Sequence, residues 1–299
     1  MNARLAWERD GADWPNHAAS RFIPAACFQW HVQIMGQGPA LLLLHGSGAS
    51  NHSWRDLAPL LAAHFTVIAP DLPGQGFTQV PSASGFSLPA MAQSIAALLR
   101  ELAMEPEFIV GHSAGAAIAV RMALDGLVAP KAIIGLNAAL LPFTAATGPV
   151  YSALAKILTL NPLVPWAFSR YAGGTGGVER LLEETGSRID ARGIALYRKL
   201  AGNSSHVGAT LRMMANWNLA ELQRDLPRLQ TPLHLLAGAK DRTISPEQAF
   251  DVRRLLPHTS VEQLPGLGHL AHEERPVEIA ARIIAIAHKC ILLGAKPDA

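Results

Sequence analysis

The 299-residue sequence is short of charge, of cysteine and of long apolar runs, and each shortage excludes a class of protein. Asp, Glu, Lys and Arg supply 16% of residues and the formal net charge is +2. A soluble protein averages about 25% charged residues, and a nucleic-acid-binding face needs clustered positive charge, so no nucleic-acid partner is expected. The two cysteines, Cys27 and Cys290, match no metal or redox spacing; a reducing compartment is the simple reading. No 18 apolar residues follow one another without interruption, which argues against a transmembrane helix. The opening "MNARLAWERDGADWP" is charged and lacks the apolar segment of a signal peptide, so a cytoplasmic location is expected. No G-x-x-x-x-G-K-[ST] loop occurs, and "HLAHEE" at 269–274 lacks zincin spacing. Neither a metal nor a cofactor is therefore expected.

What is present is apolar: 49% of residues are hydrophobic, enough for a large core. "ALLLLHG", "FTVIAPDLPG", "EFIVGHS", "KAIIGLNAA" and "PLHLLAGAKD" are continuous apolar runs, and "SVEQLPGLGH" is a weaker one. Such runs suit strands buried on both faces of a parallel sheet. "FQWHVQIMG" alternates like a half-exposed strand. Helical patterns lie between. "SWRDLAPLLAAHF" puts Trp54, Leu57, Leu60 and Leu61 on one face. "SLPAMAQSIAALLREL" does the same with Met91, Ile95, Leu98, Leu99 and Leu102, with Ser87 placed to cap it. A last helix opens at Pro276. The order predicts an α/β fold, a mostly parallel doubly wound sheet, whose ligands sit beyond the carboxyl ends of the strands.

One stretch has no strand pattern. Residues 140–206 carry helical pieces, prolines at 142, 149, 162 and 165, and "GGTGG" at 173–177. They are expected to form a helical cap inserted into a core domain of residues 1–139 and 207–299. From Leu136 to Phe168 the only charged residue is Lys156. Such a segment packs as core, lines an apolar pocket, or rests on a membrane surface.

Gly111-His112-Ser113-Ala114-Gly115 places G-x-S-x-G between a predicted strand and a predicted helix, the context that gives this pattern its meaning. A sharp strand-to-helix turn strains the serine and leaves no room for a Cβ two residues to either side. A serine nucleophile needs a base, and the base needs an orienting acid. Asp241 follows the run ending at Gly238, and His269 stands in a glycine-rich loop before the last helix. Both are expected at the carboxyl edge, in the order Ser, acid, His. Asn137 cannot carry the negative charge, Asp71 in "DLPGQG" is expected to brace its own turn, and His112 to point away from the serine. "HGSG" after the first strand of the parallel set is placed to give an oxyanion hole from the N–H of Ser47, with Gly48 as the alternative, together with the N–H of Ala114.

"HGSGAS…HSWRDL", "DLPGQGF", "GHSAGAA", "GAKDRTISP" and "LPGLGHLAHEE" resemble the α/β-hydrolase superfamily over nearly the whole chain. "RLAWERDGADWPNHAASRF", "LNAALLPF", "LNPLVP" and "MMANWNL" are similar to the magnesium-chelatase accessory proteins of bacteriochlorophyll biosynthesis, over roughly residues 1–275. That resemblance implies a role beside magnesium insertion into protoporphyrin IX, with magnesium-chelatase subunits as partners and a tetrapyrrole as the small-molecule substrate or ligand. The apolar cap adds peripheral membrane contact. Ser113, Asp241 and His269 imply hydrolysis of an ester-type bond. The other readings are a carboxylesterase or carbon–carbon bond hydrolase of aromatic catabolism, and a porphyrin-binding or docking protein without turnover.

Overall fold

The computed structural model describes residues 4–142, 163–172 and 176–294. Lys156, the prolines at 149 and 162, and most of the apolar run from Leu136 to Phe168 therefore lie outside the described residues. Eight strands form one sheet: β1 (Ser20–Ala25), β2 (Phe28–Met35), β3 (Ala40–Leu44), β4 (Thr66–Pro70), β5 (Phe108–His112), β6 (Ala132–Leu136), β7 (Leu233–Gly238) and β8 (Ser260–Leu264). Their order is β1-β2-β4-β3-β5-β6-β7-β8. β1 with β2 and β2 with β4 are antiparallel, and the other pairs are parallel. The apolar runs form the strands where the sequence places them. β1 is the exception. It carries Pro24 opposite Gln29 on the sheet edge, where a missing N–H is tolerated. Its hairpin turns through Ala26 and Cys27 at φ 52° and 66°, without the Asn-Gly that usually announces such a turn.

The parallel strands are buried on both faces because successive side chains serve different layers. Leu42, Leu44 and Ile109 pack with the helices Leu88–Glu101 and Ala114–Leu124. Leu41, Leu43 and Val110 pack with Leu57–Leu61 and Pro276–Gly294. Met91, Ile95 and Leu98 are fully buried as the periodicity requires, while Leu60 faces solvent. Ser87 takes the N-cap position without capping: its hydroxyl donates to Ser84 O instead of accepting a helix N–H.

Between β6 and β7, ahead of the short helix Ala220–Asp225, the described residues carry four α-helices: Leu163–Ala172, Gly177–Glu184, Ala191–Ala201 and Ser204–Ala215. The last of these crosses residue 206 and carries the chain back toward the sheet. A buried polar joint ties this segment down. The guanidinium of Arg55 binds Glu273 and, at 3.0 Å, Asp190. Tyr197 donates to Glu273 at 2.7 Å, and Asp190 caps the helix Ala191–Ala201 by accepting from Gly193 N–H at 2.7 Å.

The helix Ala114–Leu124 crosses tightly under β3. A Cβ on Gly115 would stand 2.1 Å from Leu44 O, and one on Gly111 2.5 Å from the backbone of Ala116. Gly126 has φ +66° and nothing within 4 Å of a Cβ. Gly115→Ala should therefore lower the unfolding free energy by about 3 kcal/mol through overpacking. Gly126→Ala should lower it by only about 1 kcal/mol, through backbone strain alone. Urea unfolding of the two variants checks this, and equal losses would contradict it.

Candidate active site

Ser113 sits between β5 and the helix Ala114–Leu124 at φ 51°, ψ −116°, a conformation that costs a non-glycine residue energy and persists only where the surroundings impose it. Its N–H donates to Leu136 O at 3.0 Å, and its carbonyl accepts from Ala116 and Ala139 N–H at 3.1 and 3.2 Å. These contacts fix the elbow from both sides. His269 lies beyond β8 and Asp241 beyond β7. His269 Nδ1 is 2.7 Å from Asp241 Oδ2. The other carboxylate oxygen, Oδ1, accepts from Thr243 and Ile244 N–H at 2.7 and 2.9 Å. Ser113 and His269 border one cavity. No hydrogen bond joins their side chains among the described residues, and in ligand-free sites such bonds are commonly loose.

Ser47 and Ala114 border the same cavity. No hydrogen bond among the described residues takes the N–H of either. Gly48 N–H, by contrast, donates to Gln75 Oε1 at 2.9 Å and so is spoken for. The direction of the Ser47 N–H follows from the preceding carbonyl. Gly46 O accepts from His45 Nδ1 at 2.8 Å and from Ala49 N–H at 3.2 Å, and a trans peptide points its N–H the opposite way.

The cavity has a volume of about 1150 Å³. Apolar side chains dominate its wall, among them Phe168, Leu181, Leu211, Met214 and Trp217, and Glu184 is the one Asp, Glu, Lys or Arg among the described lining residues.

A second Ser-His-Asp set occurs elsewhere. Ser20 Oγ lies 2.9 Å from His31 Nε2, and His31 Nδ1 lies 2.7 Å from Asp71 Oδ2. It offers no room to a substrate. His31 is fully buried, with its ring packed by Trp7, Phe22 and Phe77. Ser20 stands on the edge strand β1, away from the cavity. The Asp71 carboxylate also accepts from Asn51 and Phe77 N–H at 2.7 and 2.9 Å, so it braces its turn.

Three residues near the site escaped the sequence reading or act otherwise than it supposed. Asn137, at the end of β6, donates from Nδ2 to Asp241 Oδ2 at 2.6 Å and to Gly268 O at 3.1 Å. Its place next to the strand that carries Asp241 was the available signal. His112 does not point away. Its ring packs 4.7 Å from that of His269, and Nε2 is 2.9 Å from His269 O, so it supports the main chain of that loop. His206, on the helix Ser204–Ala215, contacts both Gly48 and Gly76, which nothing in its neighbourhood along the sequence announces.

The alpha/beta hydrolase family model matches residues 41–282. The chain belongs to that family. Within it, the chain is 40% identical to a protein named magnesium-chelatase 30 kDa subunit of Rhodobacter capsulatus, over 88% of this chain and 92% of that relative. It is 28% identical to a pimeloyl-[acyl-carrier protein] methyl ester esterase of Vibrio vulnificus, over 87% and 98%. An epoxide hydrolase structure superposes with a TM-score of 0.76 at 21% identity, covering 90% of this chain and 98% of the other, which is a likeness of fold. No helix among the described residues is long and apolar enough to cross a membrane.

Burial holds the imidazoles of His45, His52, His112, His206 and His272 below their usual range, with His206 at about 4 and His272 at about 3. The unfolded chain, with histidines near 6.5, binds these protons first. Stability is therefore complete above about pH 6.5 and is lost as pH falls toward 4 and 3. His206 and His272 should each remove about 2 kcal/mol by pH 5. Thermal unfolding from pH 7.5 to 4.5 should show a steep loss below 6.5, and a flat profile would contradict the buried, neutral state of these rings.

Proposed function

We propose that this chain is a serine hydrolase acting on an ester with a large apolar part. Ser113 attacks the carbonyl, and His269 takes its proton and returns it to the leaving group. Asp241 holds the imidazole in the tautomer that has its free lone pair toward the serine. The N–H groups of Ser47 and Ala114 receive the oxyanion. Residues 140–206 act as a cap over the carboxyl edge of a core made of residues 1–139 and 207–299, with the helix Ser204–Ala215 as its return limb. The observation that carries the reading is the 2.7 Å contact of His269 with Asp241 on the wall of a cavity that also exposes the strained Ser113. The reaction needs a group only at its carbonyl, so the apolar wall sets the substrate class: a neutral acyl or alcohol part of up to tetrapyrrole size. The 40% relative named as a magnesium-chelatase subunit supports a place beside magnesium insertion into protoporphyrin.

A fluorophosphonate probe should label the wild type, and Ser113→Ala should abolish labelling. Asp241→Asn should cut ester turnover by about 10⁴, as loss of the orienting carboxylate does in serine proteases, with ellipticity unchanged. A well-folded wild type that resists the probe sinks the nucleophile assignment. A folded Asp241→Asn protein with full turnover sinks the acid.

One observation favours a second reading, a pigment-holding or docking protein without turnover: the same relative is named as a subunit. Phe168 borders the cavity, while Leu163, Trp166 and Tyr171 on its helix are exposed and suit contact with a membrane surface or a chelatase subunit. Protoporphyrin or its magnesium complex should show shifted absorption or quenched fluorescence at micromolar protein, and Phe168→Glu should weaken the response. Unchanged pigment spectra, together with protein that stays in the supernatant over anionic vesicles, would remove both the pigment and the membrane contact.

A further inference from the structure

The turn that carries Ser47 is gripped from the cap side. Gly48 stands at φ +79°. Its N–H donates to Gln75 Oε1 at 2.9 Å, and its carbonyl lies 3.1 Å from His206 Nε2. The other ring nitrogen, Nδ1, accepts from Gly76 N–H at 3.1 Å. That acceptance fixes the tautomer: the proton is on Nε2 and is donated to Gly48 O. Gln75 is fully buried and its amide donates to Met213 Sδ at 3.1 Å. His206 and Met213 stand seven residues apart on the helix Ser204–Ala215, which means on one face. The helix begins where the Asn203 side chain accepts from the N–H groups of Ser205 and His206, both at 3.1 Å. One imidazole thus joins three segments: the turn Gly46–Ala49, the loop at Gln75 and Gly76, and the helix that lines the cavity with Thr210 and Met214.

We infer that His206 is a positioning residue for acyl transfer: with Gln75 it holds the turn Gly46–Ala49 so that the Ser47 N–H meets the developing oxyanion, which makes the chemical step depend on how the helix Ser204–Ala215 is seated. Among the described residues this is the grip on the turn from this side, since the hydrogen bonds of Gly46 O come from within its own loop. Burial keeps the ring neutral well below neutral pH, so the donor and acceptor roles of its two nitrogens do not interchange under working conditions. A substrate that fills the cavity presses on the same helix, so occupancy of the apolar end and alignment of the oxyanion donor are mechanically linked. The inference rests on the hydrolase reading above.

The two amide side chains separate the two nitrogens. Glutamine brings its N–H₂ near the place of Nε2 and can still donate to Gly48 O, whereas asparagine reaches only the place of Nδ1. The test uses the full chain with p-nitrophenyl butyrate and decanoate, amide exchange of the segment 45–50 followed by mass spectrometry, and ellipticity to confirm folding. His206→Asn and His206→Ala should lower kcat about 10²-fold, the size of effect expected when an oxyanion donor is misplaced, with KM within about twofold. Exchange across 45–50 should rise in both. His206→Gln should stay within about threefold of wild type in kcat, with exchange near wild type. Gln75→Leu, which frees Gly48 N–H without touching His206, should give the same kcat loss and serves if the histidine variants do not fold. Equal kcat for the Asn and Gln variants, a loss confined to KM, or unaltered exchange would each overturn the inference. A wild type that is inert to both esters and to the fluorophosphonate probe overturns the hydrolase reading and the catalytic part of this inference with it, while the exchange pattern still reports whether the clamp exists.

Discussion

The approach of Gly115 to the carbonyl of Leu44 sets the geometry of everything around it. The helix Ala114–Leu124 can lie that close beneath β3 only because position 115 has no side chain; a Cβ there would also stand 2.8 Å from His45 O. The short crossing leaves no length for a relaxed connection, so the chain must reverse at a single residue. Ser113 takes the positive φ that this reversal demands. The strand pressed upon leads into His45, Gly46 and Ser47, so Ser113 and Ser47, the proposed nucleophile and oxyanion donor, are referred to the same contact. Core packing sets where the two segments start, and the contacts of Gly48 with Gln75 and His206 complete the placement of Ser47. Rigid elements hold reacting groups more accurately than loops do, and here two loops borrow that accuracy from one glycine.

Around this fixed point the polar groups are arranged so that few of them carry charge. Asp241 is surrounded by donors: two backbone N–H groups, the amide of Asn137 and the His269 ring. Of the neighbouring histidines, His45 and His206 serve as neutral connectors with one donor and one acceptor each. His45 shows the pattern fully, donating to Gly46 O and accepting from Leu72 N–H. The low charge content of the sequence thus has a structural counterpart: a large site in which dipoles do the orienting and, among the described lining residues, only Glu184 is a fully charged type.

The sequence made the sheet legible because both of its faces are buried, which turns strands into uninterrupted apolar words. It made Ser113, Asp241 and His269 legible because each follows such a word. β1 stayed hidden because an edge strand need not be apolar and tolerates Pro24. Ser87 was a sound capping candidate on residue type, but its hydroxyl found the carbonyl of Ser84. His112 was expected to turn away because it precedes the nucleophile, yet the loop of His269 offered its ring a carbonyl. Asn137 offered only its place at the end of the neighbouring strand, and His206 offered no signal. Their partners lie 104 and 158 residues away along the chain, and their roles exist only after the sheet and the helical segment have met. Residue type also misleads in the other direction. Ser20, His31 and Asp71 form the better hydrogen-bonded Ser-His-Asp set, and what distinguishes Ser113 is the cavity it borders.

The joint at Arg55 has a consequence for how the molecule is made. Its guanidinium is nearly inaccessible; of its three acidic partners one is the adjacent Asp56, and the other two stand 135 and 218 residues further along the chain. A ribosome that has delivered the first strands has delivered this cation with only the part-exposed Asp56 beside it. The helical segment between β6 and β7 emerges next with Asp190 and Tyr197, and Glu273 follows later still. Only when the segment before the last helix arrives do carboxylate, phenol and guanidinium meet, and the wall of the cavity closes in the same event. Synthesis from the N-terminus ordinarily lets early segments fold early. Here Glu273 completes the joint last, and a product that stops short of it retains an arginine without its buried carboxylate.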